Sequence, residues 1–310
     1  MGSQQHHTVS RIYLEGFCIP SKDRVAVLDL KTGEIRQQKP KKILRQHDYF
    51  RQRHAPEGKD EFILEEEMGQ RIESQLRGII DKLVLGGQGL TEDELITFIL
   101  HLELQRLRVP KQALFAKSIA KGLIENVAYS IPGVAKELRK GWYEIKIKDE
   151  FRFTFLRNMT GKLFPYIRRM AWDVWEAPEG YSFITSDNPV TIFNTRVHPP
   201  DVAGIGLLGS TVLFPLTPHH CLELTHPEVE TEENPDFLQP IELKPFDVGY
   251  VHIRAGRIMT ENIAYLANCL VGTEAERYLV GSDINVLAEV HEALKTGRPR
   301  PDRNIETDRK

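Results

Sequence analysis

The sequence predicts an α+β protein, with a mixed or antiparallel β-sheet and a layer of antiparallel helices. Three observations lead there. Runs rich in β-branched and aromatic residues occupy residues 11–53 and recur beyond residue 150. The stretch between them switches to helical spacing. No repeat or low-complexity linker separates the parts. Residues 1–297 are therefore expected to form a single α+β domain with a helical insert at about 62–140. The polar, proline-containing tail 298–310 is expected to be disordered.

In chain order, Val25-Ala26-Val27-Leu28-Asp29-Leu30 reads as a strand, and Lys31-Thr32-Gly33-Glu34 as the hairpin turn that returns through Ile35 to Gln38. Basic Lys39-Pro40-Lys41-Lys42 leads away. Met68, Ile72, Leu76, Ile79, Ile80 and Leu83 recur at helical spacing, and Gly86-Gly87 stops that helix. Thr91 and Glu94 form a capping box ahead of Leu95, Phe98, Ile99 and Leu102, and the helix they start runs to Arg108-Val109-Pro110. A third helix spans about Gln112 to Tyr129. Strands are then predicted at Phe151–Leu156, Leu163–Trp175, Ser182–Thr185, Thr191–Asn194, Ser210–Phe214 and Cys221–Thr225, with another β-like piece near Val248–Ile253. Helices close the chain from about Glu261 and Asp283, with Ser282 as an N-cap and Gly297 as a C-cap.

The bulk composition excludes several classes. With 310 residues, 27% charged and a formal charge of -3, the chain is an ordinary globular one with no global pull towards nucleic acid or acidic membranes. Cys18, Cys221 and Cys269 are far apart, so neither a disulfide framework nor a thiolate zinc site is expected. No stretch reaches the ~20 apolar residues of a membrane helix. The N-terminus lacks a secretion signal, so no membrane partner and a cytoplasmic location are expected. The phosphate loop, the dinucleotide-binding glycine fingerprint, the nucleophile elbow of serine hydrolases and the H-E-x-x-H zinc motif are all absent.

The most site-like local feature is Ser186-Asp187-Asn188-Pro189, a polar turn between the apolar runs Phe183-Ile184-Thr185 and Val190-Thr191-Ile192-Phe193. Asp187 there suits a metal ligand or general base, and Asn188 suits a substrate contact. Asp and Asn before proline are equally the residues that turns favour, because their side chains bond the local backbone. His6-His7 offers a ligand or base. Glu66 and Glu73, seven residues apart, share one helix face, as metal-binding carboxylates and solvated glutamates both do. The cluster His219-His220-Cys221 with His226 matches no zinc spacing. Between residues 139 and 169, basic residues interleave with Trp142, Tyr143, Phe151, Phe153, Phe155 and Tyr166. Such a stretch fits base stacking with phosphate neutralisation, and also an ordinary strand pair with one charged face.

In order and spacing, His7-x5-Tyr13-Leu14-x2-Phe17, Asp48-Tyr49, Arg108-Val109-Pro110, Ile184-Thr185-Ser186-Asp187-Asn188-Pro189 and Phe214-Pro215-Leu216 resemble DUF4238, a mainly bacterial family of unknown function. The likeness runs from His7 to the helix with Asn268 and Ala275. It implies that His7, Arg108, Asp187 and Asn188 fall on signature positions, with Glu66, Glu73 and Asn268 beside them. One departure is Ser10, where the family usually has proline.

Two functions follow as expectations. In the first, His7, Asp187, Asn188 and Arg108 serve a hydrolase acting on a phosphodiester or other anionic substrate, such as nucleic acid or a nucleotide. A divalent metal would be held by His7, Glu66, Glu73 and Asp187. In the second, the same positions maintain a scaffold, and the protein is a non-catalytic binding or regulatory module recognising protein or nucleic acid. Asp187 bonded to backbone amides and Arg108 paired with Glu66 or Glu73 would favour the second.

Overall fold

In a computed structural model, residues 5–51, 71–197, 203–226 and 251–297 are described. They form an α+β fold with three sheets. Strands β1 (Gln5–His7) and β4 (Arg45–His47) make a small antiparallel ribbon, with His6 opposite Gln46. A four-stranded antiparallel sheet has the order β3-β2-β11-β6, from Ile35–Gln38, Val25–Asp29, Tyr278–Gly281 and Thr185–Ser186. A five-stranded sheet has the order β10-β5-β9-β8-β7, from Ile253–Ile258, Ala171–Glu176, His220–Thr225, Thr211–Thr217 and Thr191–Phe193. Only its β10–β5 pair is parallel. The β-rich ends do pair across the helical stretch, since β2 lies against β11 with Val27 opposite Val280.

Local signals explain most element ends. Gly33 takes φ 75° in the β2–β3 turn, and its amide donates to the Asp29 carbonyl at 2.7 Å. Helix α1 is Arg11–Glu15, and α2 is Leu76–Val84, stopped by Gly86 and Gly87 at φ 71° and 77°. Helix α3 (Glu92–Leu107) carries the expected capping box: Glu94 N donates to Thr91 Oγ1 at 3.2 Å, and Thr91 N donates to Glu94 Oε2 at 2.9 Å. Proline then opens α4 (Pro110–Tyr129), with α5 (Pro132–Arg139) after it. Helices α8 (Glu261–Glu274) and α9 (Ile284–Lys295) follow near the C-terminus.

The structure corrects five local readings. Phe151–Leu156 and the first part of Leu163–Trp175 are helical, as α6 (Phe151–Met159) and α7 (Phe164–Arg169), and β5 begins only at Ala171. The alternation in Phe151-Arg152-Phe153-Thr154-Phe155 mimics a strand over too short a run to exclude a helix. A buried glutamate decides it: Gly161 N and Leu163 N both donate to Glu103 at 2.7 Å, which fixes the turn between the two helices. The basic, aromatic segment is therefore helical and not a strand pair. Of Ser182–Thr185 only Thr185 pairs, and of the piece near Val248–Ile253 residues 248–250 lie outside the described residues, while β10 starts at Ile253 and runs to Ile258. The N-cap of α9 is Asp283, whose carboxylate accepts from Asn285 N at 2.8 Å, so Ser282 is one residue too early. Met68 and the 298–310 tail lie outside the described residues.

The main core joins Tyr13, Leu14 and Phe17 of and after α1 to Phe98 of α3, Trp172 of β5 and Phe214 of β8, all fully buried. A second core packs Ala26, Leu28 and Leu279 under Cys269 and Val271 of α8 and Leu287 and Val290 of α9. Burying such side chains contributes roughly 1.5–3 kcal/mol each. These cores hold the three sheets and the helices in register around the polar networks described next.

Candidate functional site

Strand β6 leads straight into the Asp187 turn. The Asp187 carboxylate accepts from three consecutive amides, Glu276 N at 2.8 Å, Arg277 N at 2.7 Å and Tyr278 N at 3.0 Å. Burial raises its pKa, and the three amides offset this only in part. Asn188 is buried. Its amide donates to the Glu274 carbonyl at 3.0 Å, its Oδ1 accepts from Arg106 at 3.4 Å, and its own N–H donates to Ser186 Oγ at 3.1 Å. The turn thus fastens the end of α8 and the link into β11. Asn268 does similar work on the approach: its Oδ1 accepts from Ile184 N at 3.0 Å, and its Nδ2 donates to the Ser182 carbonyl at 2.9 Å.

His7, Glu73 and Arg108 form a separate network. Arg108 donates to Glu73 Oε1 at 2.6 Å and to Gln105 Oε1 at 3.1 and 2.6 Å. Ser10 Oγ donates to Glu73 Oε2 at 2.9 Å, and Ser10 N donates to Gln105 at 3.3 Å. Gln105 in turn donates to the Thr8 carbonyl at 3.1 Å. Burial opposes the charged form of Glu73, yet Arg108, His101 and Ser10 outweigh it and hold the carboxyl below its usual range. His7 has a lowered pKa, chiefly from burial, with Arg108 and Arg11 adding and both Pro40 and Glu73 opposing. Its buried Nε2 has no hydrogen-bond partner among the described residues.

Sequence reasoning passed over two members of this network. His101 is fully buried with its Nε2 also unpartnered, and burial, helped by the Arg108 charge, lowers its pKa to about 3. It stands neutral beside the Glu73–Arg108 pair. Gln105 is the polar hinge of the group. The signal was present: His101, Gln105 and Arg108 recur at i, i+4 and i+7, a polar stripe on one face of α3. Ser10 also finds its use here, because it joins Glu73 and accepts from Tyr13 N at 3.5 Å at the start of α1.

The motif residues that carry the family resemblance meet in the core between the networks. The Tyr13 hydroxyl lies 2.8 Å from Thr185 Oγ1 and donates to the Pro215 carbonyl at 2.7 Å, and its ring stacks on Phe214 with 4.9 Å between centroids. The structure therefore brings His7, Glu73 and Arg108 together, and Asp187 with Asn188, but as two networks. Glu66 lies outside the described residues. Among the described residues no three His, Cys, Asp or Glu side chains converge as a metal would need. His226 Nε2 lies 2.6 Å from the Ile205 carbonyl, and His220 pairs with Thr217. The cysteines are free thiols, and no described helix is long and apolar enough to cross a membrane.

A cleft of about 490 Å³ opens between the β1/β4 ribbon and the four-stranded sheet. Five cations line it, Lys31, Arg36, Lys42, Arg45 and Arg277, against the two carboxylates Asp187 and Glu276. Arg277 pairs with Asp29 at 2.8 Å. Lys31, Arg36, Lys42 and Arg45 make no ion pair among the described residues, and the Nε of Arg36 is buried without a hydrogen-bond partner. Arg36 and Arg277 both lie over the Tyr278 ring, at 5.7 and 4.9 Å from its centroid. Asp187 and Glu276 offset part of this charge, and the cations remain in excess. The sequence hid this grouping because its cations come from three separate segments.

No curated protein and no solved structure gives a significant match. The family model for a protein of unknown function, DUF4238, matches residues 5–283, and the chain belongs to that family.

Proposed function

We propose that this protein binds a phosphate-bearing ligand, a nucleotide or a nucleic-acid strand, in the cleft between the β1/β4 ribbon and the four-stranded sheet. The observation that carries the reading is the set of four lining cations, Lys31, Arg36, Lys42 and Arg45, which make no ion pair among the described residues. Cations crowded on one concave wall repel one another, and an anion relieves that cost. The volume of about 490 Å³ suits a nucleotide-sized group. Arginine guanidinium planes match phosphate oxygens pairwise. Asp187 and Asn188 serve in this reading as the clasp that holds Arg277 and Tyr278 in the wall, which favours a binding module over a catalyst.

Hydrolysis of the bound ligand is the second reading, and His7 favours it. Its buried Nε2 has no hydrogen-bond partner among the described residues, the charges of Glu73 and Arg108 act on the ring, and the next residue, Thr8, lines the cleft. A histidine kept neutral by burial is able to accept a proton from an attacking water. A metal would have His7 and Glu73 as its described ligands, and no step depends on one. We take residues 1–297 as one folding unit because β2 pairs with β11 across the helices, and the cytoplasm as its compartment because its cysteines are free thiols.

Calorimetric titration with a nucleoside triphosphate and with a short oligonucleotide tests both readings. Wild type should bind, and Lys42→Gln with Arg45→Gln should bind more weakly, while His7→Ala binds normally. Loss of phosphodiester cleavage in His7→Ala, with binding retained, would select the hydrolase. Absence of binding to either ligand would remove both.

A further inference from the structure

Lys42, Ile43, Leu44, Arg45 and Gln46 line the cleft in sequence, so the aim of Lys42 and Arg45 depends on the backbone between them. That backbone is unusual at Leu44, which takes φ 47°. A left-handed leucine costs free energy, because its Cβ crowds the following carbonyl. A return to extended geometry at this one residue would swing Lys42 relative to Arg45. Thr8, on the facing segment, holds the turn. Its N–H and its hydroxyl both donate to the Leu44 carbonyl, at 2.9 and 3.0 Å.

Thr8 is itself fixed by Gln105, whose Nε2 donates to the Thr8 carbonyl at 3.1 Å. The orientation of that amide is forced. Its Oε1 accepts from Arg108 Nε and Nη2 and from Ser10 N, three donors that its nitrogen could not meet. Gln105 is buried near the end of α3, a helix fastened at its start by the Thr91–Glu94 box and along its length by Phe98, Ile99 and Leu102. A side chain locked on a rigid element can set the place of a more exposed one. Gln105 does not itself line the cleft. We infer that Gln105 is a positioning residue for the cleft: through Thr8 it holds Leu44 in its left-handed turn, and so keeps Lys42 and Arg45 aimed together at one bound phosphate-bearing ligand. The inference rests on the cleft reading and adds to it a residue that the ligand does not touch.

The test is a double-mutant cycle on the full chain, read by the anisotropy of a labelled single-stranded oligonucleotide. Gln105→Met keeps the side-chain length, removes every hydrogen bond of the amide and leaves the charge of the protein unchanged. It should weaken binding roughly tenfold in the otherwise wild-type chain, and by less than about twofold where Lys42→Gln and Arg45→Gln are already present. A loss confined to the first background is what positioning requires, since a general loosening of the fold would lower both affinities alike. Thr8→Val, nearly isosteric and also neutral, removes only the hydroxyl bond to Leu44. It should show the same pattern at roughly threefold, and it decides the question if circular dichroism finds Gln105→Met unfolded. The inference is overturned if the folded variants bind as wild type does. It is equally overturned if their loss is the same in both backgrounds, which for Thr8 would mean a direct contact with the ligand. Should wild type fail to bind, or bind no better than Lys42→Gln with Arg45→Gln, the cleft reading itself falls and takes the inference with it.

Discussion

Replacing His101 by Phe should remove a defined part of the protein's acid sensitivity. The imidazole is buried in the core, its ring centroid 6.4 Å from that of Phe98 and 6.0 Å from that of Phe214. Burial, with Arg108 adding and Glu73 opposing, holds its pKa at about 3, against 6.5 for the free side chain. The folded value lies below the unfolded one, so the neutral ring's full stability is present above pH 6.5. That stability is lost as the pH falls from 6.5 towards about 3. At pH 5 the unfolded chain takes up this proton and the native protein does not. At about 1.4 kcal/mol per pH unit, the loss between pH 7 and pH 5 is ~2 kcal/mol. That figure needs only a folded pKa well below 5. His6, His7 and His220 are shifted in the same direction and add to the wild-type loss. The difference between wild type and variant isolates His101. Urea unfolding at the two pH values measures it, and Phe preserves the aromatic packing. If the variant loses as much stability as wild type, to within about 0.5 kcal/mol, His101 is not held neutral by its surroundings and the polar stripe on α3 has been misread.

Two further substitutions probe the networks. Asp187→Ala strips the acceptor from three amides at 2.7–3.0 Å and should cost ~2–4 kcal/mol in urea unfolding. A change within about 0.5 kcal/mol together with lost ligand binding would instead make Asp187 a direct ligand contact. Glu73→Gln leaves the nearly buried Arg108 charge with neutral acceptors only and should cost roughly 2–4 kcal/mol at pH 7. The Glu73 carboxyl lies below its unfolded 4.5, so its contribution is present above that value and lost as the pH falls below it. Wild type and Glu73→Gln should therefore converge in stability in acid, and parallel curves would refute the assignment.

Where one residue decides a local structure, the sequence was readable. Gly33, the Thr91–Glu94 box and Pro110 each act within a few positions, and each did what its chemistry predicts. Where distant residues decide, it was not. The helices at 151–169 depend on Glu103 reaching Gly161 and Leu163, which no local pattern reveals. The likeness to the family pointed to the right segments, yet most of its residues proved to be neighbours in a core, with Tyr13, Thr185, Phe214 and Pro215 in mutual contact. Asp187 looked equally like a base and a turn residue, because a carboxylate suits both, and only the positions of the three amides show how it is occupied. Arg108 and Glu73 were legible as partners by charge, while His101 was lost among apolar neighbours although it repeats in step with Gln105 and Arg108. The cleft was invisible, since Lys31, Arg36, Lys42, Arg45 and Arg277 gather only when β2 pairs with β11.

The central claim is that this gathering of cations binds phosphate, and its salt dependence is the direct measure. Anisotropy of a labelled single-stranded oligonucleotide, titrated over a series of salt concentrations, gives the number of phosphates neutralised. Wild-type affinity should fall linearly with the logarithm of salt concentration. Lys42→Gln with Arg45→Gln should bind more weakly, with a slope shallower by about 1.4, or ~0.7 for each phosphate contact removed. Equal affinity and equal slope in the two proteins would contradict the account.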